Sequence, residues 1–369
     1  MFYYLFEYIN STFSPPGFDV FRFITFRAAA AAITALLISW FVGPRIIRLL
    51  QRRQIGEAAK LEAPETHRIK AGTPTMGGLI VLAAILVPVL LWGQLHNTYV
   101  WLILTATVLL GGVGFLDDYL KVVKKYPKGL IGEYKIVGQV VVGLLVGGVL
   151  YFSPEFHGYN SVTTVPFFKN LTLDFAVFYI PVIIFVITAT SNAVNLTDGL
   201  DGLAIGTISI AFIAIALIAY ASGRVDFSNY LNIIYLPRSG ELTVFSAAVI
   251  GAGLGFLWYN AYPAQVFMGD TGSLALGGAL GAMMVMLRKE LLLPILGGIF
   301  FAETVSVLVQ KAYFKYTKRK YGQGRRVFRM APVHHHFELL GWPEPKIVTR
   351  FYIVAIILAI LSLATFKVR

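Results

Sequence analysis

Five of the eight aspartates in this 369-residue chain fall in three short clusters, each at the end of an apolar run. The first is Asp117-Asp118, closing a glycine-rich stretch and followed by Lys121. Two adjacent carboxylates do not both stay ionised without a cation nearby. A helix continued through this segment brings Lys121 close to both, at spacings of four and three. Such a pair suits Mg²⁺ binding or proton transfer. In the second cluster Asn192, Asn195, Asp198 and Asp201 recur every third residue, with Gly199 and Gly202 directly after the two aspartates. One helical or 3₁₀ turn would put them in a line, and the glycines allow close approach of a ligand. The third is Asp270 in Met268-Gly269-Asp270-Thr271-Gly272-Ser273, a turn able to cap a helix or to present a carboxylate to a metal. No Lys or Arg stands between 188 and 202 or between 260 and 272, so a metal would be a natural counter-charge.

Two further segments offer anion chemistry. Lys70 through Gly78 combines a cation, hydroxyls that include Thr75, and free backbone N–H groups at a helix start, which suits phosphate. It lacks the P-loop pattern. His334, His335 and His336 follow Arg325, Arg326 and Arg329 in a basic loop. Three consecutive histidines are not spaced as ligands on one helix face, and the loop reads as one that contacts phosphate or sugar. Glu303 lies inside an apolar segment, facing either a cavity or another helix.

The elements that position these residues are membrane helices. Hydrophobic residues make up 57% of the chain, charged ones 14%, and the mean hydropathy is +0.71. Soluble domains carry about 25% charge, so a soluble or disordered protein is excluded. A spanning helix needs roughly 20 mostly apolar residues. Ten runs qualify: 24–47, 75–93, 98–118, 133–152, 174–192, 202–221, 241–261, 271–287, 291–312 and 347–366. They leave room for one integral membrane domain, 1–369, without internal repeats. Segment 153–173 reads as a small hairpin. The start of the chain carries Glu7 and Asp19 and lacks the basic region of a cleavable signal. The absence of cysteine removes disulfides and thiolate chemistry.

The net charge of +12 is unevenly spread. Twenty-two of the 31 Lys and Arg fall in the segments after the first, third and ninth spans. By the positive-inside rule these segments are cytoplasmic and both termini lie outside. All three acid clusters then sit at the cytoplasmic face. Acids near hydrocarbon are functional candidates by default, at about 2.5–3.5 kcal/mol each on insertion scales. The basic excess points to anionic lipid or an anionic substrate, not to nucleic acid. Carboxylates ringed by cations at a membrane face fit Mg²⁺-assisted phosphoryl transfer between a soluble diphosphate and a lipid phosphate.

The motifs resemble those of the phospho-N-acetylmuramoyl-pentapeptide-transferase family, within the polyprenyl-phosphate N-acetylhexosamine-1-phosphate transferase superfamily. They occur in the family's order: Gly72–Gly78 (GTPTMGG), Leu116–Lys121 (LDDYLK), Asn195–Ala204 (NLTDGLDGLA), Met268–Ser273 (MGDTGS) and Pro332–Glu338 (PVHHHFE). The triple-His loop followed by Leu339–Glu344 (LLGWPE) marks the muramoyl-pentapeptide branch. The resemblance covers residue 45 to the end. It implies ten spans, a homodimer in the bacterial inner membrane, and Mg²⁺. It also implies transfer of phospho-MurNAc-pentapeptide from UDP-MurNAc-pentapeptide to undecaprenyl phosphate, giving lipid I and UMP.

Under that resemblance Asp117, Asp118, Asp270 and His334 are the catalytic set, with Asp270 on the metal. Lys70, Thr75, Lys121, Asn192, Asn195, Asp198, Gly199, Leu200, Asp201, Asn260, Phe267, Gln310, His335 and His336 bind substrate. Either Asp117 or Asp118 would activate the lipid phosphate, in one step or through a phospho-aspartate. Two rivals stand beside this: a UDP-GlcNAc-using relative, and a proton-coupled transporter or flippase. The transporter predicts acids at mid-span instead of at helix ends.

Overall fold

In the computed structural model the described residues are 1–52, 70, 72–126, 129–168 and 171–366. The cations Arg53, Lys60, Arg68 and Lys128, counted above toward orientation, lie outside them. The fold is helical: α1 (Phe2–Phe13), α2 (Ile24–Arg52), α3 (Gly78–Trp92), α4 (Thr98–Val122), α5 (Gly132–Phe152), α6 (Tyr179–Thr197), α7 (Leu203–Ser222), α8 (Val225–Leu231), α9 (Glu241–Asn260), α10 (Gly269–Met286), α11 (Leu293–Leu296), α12 (Gly298–Tyr321), α13 (Val333–Glu338) and α14 (Glu344–Ala364). The expected hairpin is present as β1 (Val162–Thr164) and β2 (Thr172–Asp174), antiparallel, with Thr163 opposite Leu173.

Each of the ten apolar runs is helical, and they differ in their capacity to cross a bilayer. Seven helices among the described residues are long and apolar enough by themselves: α2, α4, α5, α6 with the 3₁₀ turn before it, α7, α9 and α14. The run 291–312, read as one span, is two pieces bent by 83°. The break falls at Gly297, after a four-residue α11 that has Pro294 in its first turn. Proline starts a helix well, and glycine ends one cheaply. The bent pair brings the number of candidate spans to eight. Helix α3 has 15 residues, about 22 Å at 1.5 Å each and short of a ~30 Å hydrocarbon core.

Helix α10 is the centre of the bundle: every residue from Thr271 to Met286 is buried. It packs against α4 and α6, while α9 packs against α2 and α7. Small residues set this closeness, as they do between membrane helices generally. At Gly114 a Cβ would lie 2.1 Å from the carbonyl oxygen of Asp270. Only glycine lets α4 approach the start of α10 to that distance. The apolar surface is turned outward, for example Ile353, Ile357 and Ile360 on α14. In lipid that face carries no hydrophobic penalty.

At the end of the bundle opposite the aspartates, Arg27 and Glu241 form a fully buried bidentate pair at 2.7 and 2.5 Å. Arg27 also donates to the Trp92 carbonyl and Glu241 accepts from the Gln94 N–H, which ties α2, α3 and α9 together. Helix α1, a segment for which the hydropathy suggested nothing, lies against the same end. Its terminal amine donates to the carbonyls of Leu90 and Leu91, and Phe6 stacks on Phe21 at 3.9 Å.

Candidate active site at the aspartate-bearing helix ends

Asp117 and Asp118 sit in the last turns of α4 and Asp270 in the first turn of α10. The Gly114 contact holds these two helix ends together. Among the described residues the three aspartates are the group able to hold a metal, with one ligand atom each, all within 4.8 Å of one another.

The two neighbours on α4 have different partners. Asp118 is committed to the start of α10: its Oδ1 accepts from Asp270 N–H (3.1 Å), and its Oδ2 from Thr271 N–H (2.9 Å) and Thr271 Oγ (2.6 Å). It caps that helix from another helix, satisfying N–H groups that have no partner within α10. Asp117 faces the other way. Its Oδ1 accepts from Leu130 N–H (2.7 Å), and its Oδ2 is paired with Lys121 and with Lys135 at 2.9 Å.

Asp270 shares both lysines, with Oδ2 2.6 Å from Lys135 and 3.3 Å from Lys121. Its Oδ1 accepts from Asn195 Nδ2 at 2.9 Å. Two carboxylates and two ammonium groups thus form a closed quartet in which each acid is bridged to the other by cations. The counter-charge that the local sequence lacks comes from α4 and from the start of α5. Lys135, one of the cations behind the orientation signal, also belongs to this group, where sequence reasoning did not place it; its one sequence signal is that it opens an apolar helix four residues before a polar Gln139, whose Oε1 accepts from Asn192 (2.9 Å). Thr75 lies beside this group, its hydroxyl 3.0 Å from where a Cβ on Gly269 would stand.

The line expected of Asn192, Asn195, Asp198 and Asp201 is replaced by a fan. Helix α6 ends at Thr197, Asp198 is its cap, and Gly202 takes the left-handed conformation (φ 80°) before α7 begins. The turn therefore sends each residue to a different neighbour. Asn195 reaches Asp270 and Ser273. Gly199 lies against His334, with a Cβ there only 2.3 Å from Nε2. Asp201 pairs with Lys70 (2.7 Å), which also meets Glu344 (2.7 Å), while Asp201 N–H donates to Glu344 (2.6 Å). Leu200 is buried with Leu203, Ile347 and Val348.

Several residues expected to bind substrate hold backbone in place. Asn260 accepts from Gly202 N–H and donates to the Val266 carbonyl. Gln310 accepts from the N–H groups of Val327 and Phe328 and donates to the Phe328 carbonyl, bracing the basic loop. His335 pairs with Glu338 at 2.6 Å, and His336 Nδ1 accepts from Arg329 N–H at 3.1 Å. Phe267 is half-buried, with its N–H donating to Pro74 and its carbonyl accepting from Gly77, both at 2.8 Å. These bonds join the Thr75 segment to the loop that opens α10. Glu303 faces another helix, where its Oε2 lies 3.1 Å from His334 Nδ1.

Hard carboxylate oxygens suit a divalent oxygen-seeking cation such as Mg²⁺. Asp117 and Asp270 each turn one oxygen, Oδ2, to Lys121 and Lys135, whereas both oxygens of Asp118 are taken by backbone and hydroxyl donors. The arrangement fits chemistry on a phosphate ester at the end of a helix bundle, with acids at helix ends and none of the three at mid-span.

Comparison with known proteins agrees with the motifs and the geometry. The family model Glycosyl transferase family 4 matches residues 100–288, and a phospho-N-acetylmuramoyl-pentapeptide-transferase signature matches residues 70–82. The phospho-N-acetylmuramoyl-pentapeptide-transferase of Chloroherpeton thalassium is 54% identical over 369 residues, covering the whole of both chains. The chain belongs to the phospho-N-acetylmuramoyl-pentapeptide-transferase family. The family member of Salinibacter ruber is 53% identical and that of Chlorobaculum tepidum 53%, each again over both full lengths. Asp117, Asp118, Asp198, Asp201 and Asp270 all lie within the match over residues 100–288, and the chain is a polytopic membrane transferase of peptidoglycan synthesis.

Proposed function

We propose that the chain transfers phospho-MurNAc-pentapeptide from UDP-MurNAc-pentapeptide to undecaprenyl phosphate, forming lipid I and UMP. The observation that carries this is the quartet of Asp117, Asp270, Lys121 and Lys135, built at helix ends in a chain alike to these transferases over its full length. The topology we assign has ten spans in one domain, counting α3, α10 and the bent α11–α12 pair. Both termini are periplasmic and the site is at the cytoplasmic face of the bacterial inner membrane. The enzyme works as a homodimer.

Asp117 orients the lipid phosphate and takes its proton when one is present. Lys121 and Lys135 leave their carboxylates to meet phosphate oxygens. A lipid phosphate oxygen attacks the β-phosphorus, the bond to the bridging oxygen breaks, and UMP leaves with the electron pair. Asp270, with Asp117 beside it, would hold Mg²⁺, which supplies charge neutralisation on the diphosphate and the departing UMP. Asp118 fixes the start of α10, and with it the position of Asp270. Asn195 orients Asp270 through Oδ1. Lys70, Asp201 and Gly199 line the nucleotide side, with Phe267 stacking on uracil, and the His334–His336 loop contacts phosphate or sugar.

The test is UMP release by purified protein given undecaprenyl phosphate and either UDP-MurNAc-pentapeptide or UDP-GlcNAc, with and without Mg²⁺. Mg²⁺-dependent release from the muramoyl substrate, lost in Asp117→Asn and Asp270→Asn, is expected. Turnover of UDP-GlcNAc alone, or full activity in both variants, would overturn the assignment.

A further inference from the structure

Eight Lys and Arg stand between Glu303 and Glu338 with no acid among them. A charge run of this kind usually splays into solvent and serves only to orient the chain. The part between α12 and α13, Gly322 to Pro332, is instead fastened down. Gln310 on α12 holds the backbone of Val327 and Phe328 through three hydrogen bonds, and Thr317 Oγ accepts from Arg325 N–H at 2.8 Å. At its other end the loop rests on the histidine segment. Arg329 N–H donates to His336 Nδ1, its guanidinium donates to the Leu339 carbonyl, and Phe328 stands edge-on to the His336 ring at 5.7 Å. Arg329 is thereby part of the brace. Arg325 and Arg326 are exposed: the first lies over the Tyr321 ring at 4.9 Å, and the second donates to the Arg329 carbonyl at 3.3 Å. Among the described residues neither pairs with an acid. Fixing two neighbouring arginines in one braced loop costs repulsion that a bound anion would offset.

We propose that Arg325 and Arg326 are the subsite for the peptide arm of the donor and bind its free carboxylates. The inference rests on the proposed function, in which the His334–His336 loop contacts phosphate or sugar. A peptide joined to the sugar through its N-terminus keeps a carboxylate at its free end. Five extended residues reach at most roughly 17 Å, so that carboxylate meets only groups standing near the segment that contacts the sugar. The arginine loop is bonded to that segment at His336. Arginine suits the task, because its planar guanidinium pairs with a carboxylate through two parallel N–H···O bonds. The rival occupant is an anionic lipid headgroup. Cations that only meet a charged lipid surface act as a diffuse patch and need no such fixing against the site.

The experiment measures kcat/KM by UMP release on purified full-length protein, in nanodiscs of neutral lipid and in nanodiscs containing phosphatidylglycerol, with undecaprenyl phosphate saturating. Two donors are compared: UDP-MurNAc-pentapeptide, and the same molecule with its peptide carboxylates converted to primary amides. In Arg325→Gln/Arg326→Gln the acidic donor is expected to lose about 10-fold, mainly through KM, the upper range for two exposed ion pairs, and the amidated donor less than about twofold. The wild type should itself prefer the acidic donor by a similar factor, and Arg325→Lys/Arg326→Lys should recover most of the loss. An equal loss on both donors, or none on either, would overturn the proposal. So would a loss confined to the nanodiscs with anionic lipid, which would assign the pair to the membrane. If the double variant does not accumulate as folded protein, the donor preference of the wild type and of Arg326→Gln alone decides. A wild type that releases no UMP from either donor takes the proposed function down, and this inference with it. Turnover by the wild type without preference between the donors removes the inference alone.

Discussion

The two adjacent aspartates of α4 should fail in different ways when each is replaced by asparagine. Asp118 accepts three hydrogen bonds from the start of α10. In Asp118→Asn one amide oxygen can serve Thr271, but the NH₂ then faces the Asp270 N–H, donor against donor. Losing a hydrogen bond to a charged acceptor costs about 1.5–3 kcal/mol. The two that remain drop to roughly half their charge-assisted strength, and a further few tenths to 1 kcal/mol of helix-dipole stabilisation goes with the charge. Together these come to about 5 kcal/mol. For a chain of this length 1 kcal/mol corresponds to about 1.5 °C, extrapolating the size trend, so Tm should fall by about 7 °C. Asp117→Asn keeps the Leu130 N–H bond through its oxygen, and both lysines keep Asp270. Its Tm should stay within about 2 °C of the wild type, again by the size trend, while turnover drops about 10²–10⁴-fold, the usual worth of a positioned base. The assays are thermal unfolding of detergent-solubilised protein and UMP release at saturating substrate. An Asp118→Asn protein as stable as wild type but inactive, or an Asp117→Asn protein that is the less stable of the two, would refute this division of roles.

Other outcomes follow from the same geometry. Lys135→Met removes the cation shared by Asp117 and Asp270 and should lower kcat/KM by roughly 10²–10³-fold, the usual worth of one preorganised group that stabilises developing charge; activity within threefold of wild type would deny it a place in the site. Gly114→Ala forces a methyl into the Asp270 carbonyl, so both stability, by about 1–3 kcal/mol, and UMP release should suffer, as unfolding and turnover assays would read. Arg27→Met leaves Glu241 buried without its cation and should cost about 3–5 kcal/mol in denaturation experiments, while KM for either substrate stays unchanged because the pair is at the opposite end of the bundle.

The placement of the acids at helix ends, the ten helical runs and the small hairpin were legible from the sequence, because each is encoded locally by apolar length, turn residues and alternation. The division of labour between Asp117 and Asp118 was not. Adjacent residues on a helix point about 100° apart, and only the approach of α10 at Gly114 decides which of them meets its start. The cations that face Asp270 were not legible for the same reason: Lys121 and Lys135 stand 149 and 135 positions away from it in the chain. Periodicity put Asn192 to Asp201 in a line, but α6 ends at Thr197 with Asp198 leaving the helical conformation, and the turn that follows is what lets one segment serve three neighbours. Hydropathy also could not show the 83° bend before α12, since a broken span and a straight one have the same composition.

The quartet at the site sums to zero charge. It therefore projects little field beyond its own diameter, and the capture of a polyanionic donor from solution falls to the exposed cations further out, such as Lys311, Lys315, Lys318 and Arg319 on α12. Those outer charges act across water, where a Debye length near 10 Å at 0.1 M salt screens them. The inner groups act in contact and are sheltered. Ionic strength thus separates encounter from chemistry in this protein: added salt slows arrival of the donor and leaves the rate of the bound complex almost untouched.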